Sequence, residues 1–302
     1  VMVAYILLVQ RFFDPIKTIS MQYNAMQRAM ASGYRIFEVL DIPVTIKDPK
    51  NPLDCPLDGS IKFENVSFAY VDENYILKDF DLKIDNGQRI GIVGPTGAGK
   101  STISNLIHRF YDTNRGKVIL GGVEIKKFSQ EYIGEKVGMV LQDPFLFSGT
   151  ILENIKYGNP GISIKDINKS TELLGMTDFI ESLDNGFDTV IGQRGSDLSM
   201  GQRQLLSILR ALVANTQYLI LDEATSSIDS YTEKKIQNAL DVLLQNRTSI
   251  TIAHRLATVR KCDKIIVLNA GQIEETGSHE ELLQNNGLYS KLYNLNYSSF
   301  DD

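Results

Sequence analysis

The chain has 302 residues, 43% hydrophobic and 23% charged, which suits one large globular domain or two small ones. A net charge of −6 argues against a protein wrapped around nucleic acid. Cys55 and Cys262 stand in no metal-ligand spacing and read as free thiols of a reducing compartment, not as a disulfide framework.

The chain starts at Val1 with no basic leader, cleavage site or lipidation motif, and reads as a fragment of a longer protein. Residues 1–9, VMVAYILLV, are apolar and uncharged. They are too few to span a bilayer, which takes about 20 residues. They are either the end of a membrane helix or a buried soluble helix, and periodicity does not separate the two. Helical spacing continues to Leu40 through Phe13, Ile16, Ile19, Met26, Met30, Ile36 and Phe37. Pro15 is expected to kink this helix. Ala25, Ala29, Ala31, Ser32 and Gly33 permit close helix packing. Residues 41–58 form the expected linker, with Pro43, Pro49, Pro52 and Pro56 supplying four of the eight prolines.

From Gly59 the pattern changes. Strands are expected at Ile61–Tyr70, Leu77–Ile84, Ile90–Val93, Lys117–Leu120, Val137–Leu141, Tyr218–Leu221, Ser249–Ile252 and Lys264–Leu268, with a turn at Asn86-Gly87. A largely helical stretch fills about 143–214. Strands alternating with helices indicate an α/β core with a mostly parallel sheet.

The most specific stretch is Arg89–Thr102, RIGIVGPTGAGKST. Gly94, Pro95, Thr96, Gly97, Ala98, Gly99, Lys100 and Ser101 satisfy G-x-x-x-x-G-K-[ST] between a strand and a helix. Glycines let successive backbone N–H groups turn inward onto phosphate oxygens, and the helix start adds its positive end. Lys100 is expected on the β- and γ-phosphates and the Ser101 hydroxyl on Mg²⁺; Thr102 follows in the first turn. A Gly-rich turn with a chance Lys-Ser is the bland alternative.

Other stretches carry chemistry only beside that loop. The strand Tyr218–Leu221 ends in Asp222 and Glu223. Ligands of open α/β sheets bind beyond the carboxyl ends of the strands. Asp222 is therefore a candidate for the Mg²⁺ shell, and Glu223 for orienting or deprotonating water. His254 follows the strand Ser249–Ile252; in a parallel sheet it shares that edge and reaches toward the γ-phosphate. Gln142, after Val137–Leu141, is a further candidate for the metal shell. Ser199 with Gln202 forms a capping box at the start of a helix over Met200–Asn215, a position that also suits an anion. Tyr70 is placed to stack on a purine. Each has a local structural alternative: a solvated strand end, a cap, or half-buried packing. His108 and His279 are read as structural.

In this order, the pieces resemble the nucleotide-binding cassette of ABC transporters, from about Gly59 to the C-terminus, with multidrug-type exporters as the family's nearest branch. The resemblance implies an ABC-type P-loop ATPase core with an antiparallel β-subdomain and a helical subdomain. It makes Tyr70 the adenine-stacking aromatic, Gly94–Thr102 the Walker A loop and Gln142 the Q-loop glutamine. Ser199, Met200, Gly201 and Gln202, after Leu198, become the signature that closes a partner's ATP site. Asp222 and Glu223 become the Walker B end, Asp229 the D-loop aspartate and His254 the switch histidine. Residues 1–40 resemble the end of an exporter's last transmembrane helix and its cytoplasmic extension.

ATP and Mg²⁺ are the implied cofactors. A second half-transporter, identical or not, is the implied partner. A multi-pass cell-membrane protein with a cytoplasmic cassette, exporting an unread substrate, is the implied setting. Three departures stand out: Met200 for glycine, Gln193 for glutamate, and Tyr34 where glutamate is common. Rival readings are a soluble chromosome-maintenance or translation ATPase and a non-hydrolysing ATP-binding regulator. Continuous core motifs, a single cassette, and the presence of both Glu223 and His254 weigh against them.

Overall fold

A computed structural model describes residues 2–71, 73–223, 229–253 and 256–297. The chain divides into two units, Val1–Lys47 and Asp48–Asp302. The first is built on α1 (Met2–Leu40), 39 residues with no buried side chain. At 1.5 Å per residue it is roughly 58 Å long. The helix runs unbroken through Pro15. In the turns that follow, the hydroxyls of Thr18 and Ser20 donate back to the carbonyls of Asp14 and Ile16, at 2.9 and 3.0 Å. No helix among the described residues is long and apolar enough to cross a membrane.

The second unit contains two principal sheets. β1 (Ile61–Phe68), β2 (Leu77–Ile84), β4 (Arg115–Leu120) and β5 (Val123–Glu124) form an antiparallel sheet in the order β2-β1-β4-β5. The main sheet takes β3 (Arg89–Val93), β6 (Val137–Val140), β9 (Tyr218–Glu223), β10 (Thr248–Ala253), β11 (Lys264–Asn269) and β12 (Gln272–Gly277). Its order is β12-β11-β3-β10-β9-β6, parallel throughout except for the edge pair β11–β12. The short strands β7 (Gly149–Thr150) and β8 (Val190–Ile191) pair with each other.

From the phosphate loop onward, the helices before β9 begin with α2 (Lys100–Ile107), α3 (Gln130–Lys136) and α4 (Ile151–Lys156). They are followed by α5 (Ile164–Leu173), α6 (Thr177–Glu181) and α7 (Met200–Ala214). α8 (Ser230–Leu243), α9 (Leu256–Val259), α10 (His279–Gln284) and α11 (Leu288–Tyr297) complete the chain.

Strand alternation separates the cores. Successive side chains of a strand point to opposite faces. Tyr218 and Ile220 of β9 accordingly join the cluster that holds Ile90, Ile92, Ile103 and Leu106. Leu219 and Leu221, one step along, join the helical cluster with Leu205, Leu206, Ile208 and Leu209 of α7. β11 divides likewise: Ile266 and Leu268 face the first cluster, Ile265 and Val267 a third with Leu282 and Tyr289. Burial on both faces explains why these strands read as unbroken apolar runs.

The segment expected as linker docks from Asp48 onward. Asp48 accepts from the Gln130 N–H at 2.8 Å, and Leu53 N–H donates to the Lys127 carbonyl at 2.9 Å. The Cys55 carbonyl accepts from the Tyr132 hydroxyl at 2.6 Å, and Cys55 and Leu57 pack against the first core. Neither Cys55 nor Cys262 forms a disulfide. The strand expected to reach Tyr70 stops at Phe68, because the next N–H, that of Ala69, donates to the Asn114 side chain at 2.8 Å.

Candidate functional site

The phosphate loop joins β3 to α2 as the spacing requires. Gly94 has φ 157° and Gly99, at the helix N-cap, φ 102° in the left-handed region. A Cβ at Gly94 would collide with the Leu268 carbonyl, and one at Gly99 would stand 2.9 Å from Leu77 Cδ2. Glycine is therefore demanded there by space as well as by backbone angle. Lys100, only 8% exposed, turns back into the loop. Its ammonium donates to the carbonyls of Gly94 and Pro95, at 2.8 and 3.0 Å. Burial pushes its pKa below the usual lysine range, and the Asp222 carboxylate opposes that shift. A cleft of about 210 Å³ opens here, lined by Ile76, Thr96, Gly97, Gly99, Lys100, Ser101 and Thr102.

Parallel register brings the distant candidates to this edge. Ile92 of β3 pairs with Ile252 of β10, and Ile252 with Asp222 of β9. Ala253 pairs with Glu223, and Val140 of β6 with Leu221. The carboxyl ends of four strands thus lie side by side, with the phosphate loop leaving β3, Gln142 two residues beyond β6, and Asp222 and Glu223 closing β9. Gln142 is exposed in the loop. His254 directly follows β10 but lies outside the described residues. Among the described residues no cluster of three His, Cys, Asp or Glu side chains is suited to a metal ion. The candidate donors are one hydroxyl, one amide and one carboxylate, a hard oxygen set that fits Mg²⁺ shared with substrate phosphates and water.

Tyr70 sits two residues past β1 and is 41% exposed. Its ring meets Phe68 and Tyr111 edge-on, with centroids 4.8 and 4.9 Å away. Its hydroxyl accepts from Asn105 Nδ2 at 2.9 Å and donates to Thr102 Oγ1 at 3.3 Å.

Residues 77–226 match the family profile "ABC transporter". The chain belongs to the ABC transporters through its nucleotide-binding domain. It is 45% identical over 285 residues to an uncharacterized ABC transporter ATP-binding protein, YfiC, of Bacillus subtilis, covering 94% of this chain and 47% of that protein. It is 43% identical to the ATP-dependent lipid A-core flippase of Desulfotalea psychrophila, covering 94% and 50%. It is 42% identical to a fatty acid ABC transporter ATP-binding/permease protein of Mycobacterium bovis, covering 96% and 46%. A solved bacterial Atm1-family ABC exporter with ATP bound superposes with a TM-score of 0.80 at 36% identity, covering 95% of this chain and 50% of that one. The chain spans about half the length of the relatives it matches.

In this ABC domain the stretch expected to be the signature caps α7. The Ser199 hydroxyl accepts from the Gln202 N–H at 3.2 Å, and the Gln202 side chain returns to the Ser199 N–H at 2.8 Å. Leu198 is buried in the helical core, a different cluster from the one that holds Ala98 of the phosphate loop. Gly201 is buried. Arg203 donates to the Leu198 carbonyl at 2.7 Å and to the Met200 sulfur at 3.3 Å, a contact glycine would lack at position 200. Gln193 is exposed in a short 3₁₀ turn, Gln193–Gly195. Asp229 caps α8, accepting from the Thr232 N–H at 2.9 Å, which holds its carboxyl below the usual carboxylate range. The other two histidines have local partners. His108 Nδ1 is 3.1 Å from the Ser104 carbonyl, and His279 Nδ1 is 2.8 Å from the Tyr289 hydroxyl.

Removing the Ser199 cap should cost about 0.5–2 kcal/mol. Ser199→Ala is thus expected to lower the urea midpoint of this ABC domain, and an unshifted midpoint would show that the cap contributes nothing. Two residues at the nucleotide edge escaped sequence reasoning. Ile76 stands just before the expected strand Leu77–Ile84, and Asn105 is a polar position on a helix; neither carries a local signal. A larger cavity of about 760 Å³, lined by Cys55, Tyr132, Asn215 and Gln217 among others, shares no residue with the phosphate cleft.

Proposed function

We propose that this domain binds ATP with Mg²⁺ at the phosphate loop and hydrolyses it within a pair of cassettes, as the motor of an exporter. The observation that carries the reading is the register that aligns the ends of β3, β6, β9 and β10 on the edge where the phosphate loop leaves β3. Lys100 leaves its loop carbonyls for the β/γ-phosphates. Loop N–H groups hold the remaining oxygens. Tyr70 stacks on the adenine. Ser101, Asp222 and Gln142 are the residues that would hold Mg²⁺, which supplies charge neutralisation at the phosphates. Glu223 accepts the proton of the attacking water, and His254 hydrogen-bonds the γ-phosphate.

The signature Ser199–Gln202 has no nucleotide of its own in this reading and faces a partner's, with Asp229 at the same junction. A second half-transporter therefore completes both sites. The Ser199 hydroxyl is able to accept from a backbone N–H and still donate to a phosphate. Closure would move membrane helices joined to residues 1–40, placing the protein in a cell membrane with this domain in the cytoplasm. The exporter names of the flippase, fatty acid and Atm1-family proteins support this assignment.

Calorimetry and steady-state hydrolysis test the core of the reading. One ATP should bind per chain, and turnover per chain should rise with chain concentration if the partner is a second copy. Absence of ATP binding would overturn it. Tyr70→Ala should weaken ATP binding by about 1–3 kcal/mol through lost stacking. Tyr70→Phe keeps the ring and should fall between wild type and alanine; affinity as poor as alanine's would exclude stacking as the role.

A further inference from the structure

We propose that Asn105 is a positioning residue for the adenine platform, holding the Tyr70 ring ready from the same helix that receives the phosphates. The inference rests on the reading that Tyr70 meets the base. Thr102 and Asn105 are three residues apart on α2 and so share one face. Both reach the Tyr70 hydroxyl: Asn105 donates to it at 2.9 Å, and Thr102 accepts from it at 3.3 Å. Thr102 is buried and its bond partly shielded, whereas the shorter Asn105 bond lies at the surface beside it.

Residues outside α2 hold Tyr70 as well. Asn114 Oδ1 holds the Ala69 N–H at 2.8 Å, which fixes the backbone just before Tyr70. Phe68 and Tyr111 touch the ring at interplanar angles of 86° and 83°. Neither is stacked parallel to it. An exposed tyrosine fixed at backbone, edges and hydroxyl loses little rotamer freedom when a base arrives. Asn105 supplies one of the two hydroxyl contacts, and it carries no charge toward the phosphates.

The affinity of the full chain for ATP and for inorganic tripolyphosphate, which has no base, tests this. Asn105→Ala should weaken ATP binding by about 3- to 10-fold, the range for one hydrogen bond in such a network. Tripolyphosphate affinity should stay unchanged. Tyr70→Phe removes this bond together with the one to Thr102 and should show at least as large a loss. The double variant should bind no more weakly than Tyr70→Phe alone, because the interaction is already gone. Unchanged ATP affinity in Asn105→Ala, an equal loss for tripolyphosphate, or additive losses in the double variant would each overturn the proposal. Tyr70→Ala separates the two levels. Wild-type ATP affinity in that variant refutes the base-stacking reading itself. A loss in Tyr70→Ala without one in Asn105→Ala refutes only the positioning role.

Discussion

Glu223→Gln is expected to slow steady-state ATP turnover by about 10²–10⁴ while sparing ATP binding. The amide keeps the shape of the carboxylate but does not accept the proton of the attacking water. Glu223 closes β9, paired with Ala253 of β10, on the edge where the phosphate loop leaves β3. Binding survives because Lys100 and the loop amides are untouched. Loss of one negative charge also eases closure around the γ-phosphate. The variant should therefore accumulate as an ATP-bound pair, with Ser199 and Gly201 of each chain against the other's nucleotide. Hydrolysis rates and molecular mass in ATP with Mg²⁺ read the two parts separately. Wild-type turnover would refute the catalytic role. Lost turnover with a persistent monomer would leave that role standing and point to a non-identical partner.

Lys100→Ala is expected to remove tight ATP binding. The ammonium is nearly buried and lies among carbonyls, within the field of the Asp222 carboxylate. Truncating one partner of a buried charge pair costs about 2–5 kcal/mol or more. That corresponds to a loss of affinity of at least about 30-fold. The same substitution leaves the Gly94 and Pro95 carbonyls without this donor, so a melting curve should accompany the calorimetry. An intact domain with unchanged affinity would sink the assignment of the loop.

Much of this domain is legible because its signals are local. The phosphate loop needs only a strand, glycines at fixed steps and a helix start, and residues 89–107 supply all three. The capping box at Ser199 and Gln202 is a three-residue relation, and the structure forms both of its hydrogen bonds. Apolar runs marked β9 and β11 for the same reason: a strand buried on both faces carries apolar side chains on both. Strand ends were less legible. β1 stops two residues before Tyr70 because a side chain 45 residues away takes the next N–H. β12, a polar edge strand with the sequence QIEETG, has no apolar run and gave no signal.

By itself, the sequence singled out the residues proposed to carry the chemistry, since short-range backbone geometry dictates the loop, the caps and the strand periods. It also carried the family resemblance that the comparisons bear out. Only the tertiary structure decided which strands are neighbours, and hence that Gln142, Asp222 and Glu223 share an edge with Lys100. It alone showed the prolines from Pro49 to Pro56 lying along the domain, and Asn105 meeting Tyr70. Strand order and side-chain pairing depend on contacts between residues far apart in the chain, and periodicity specifies a face without naming what lies across it.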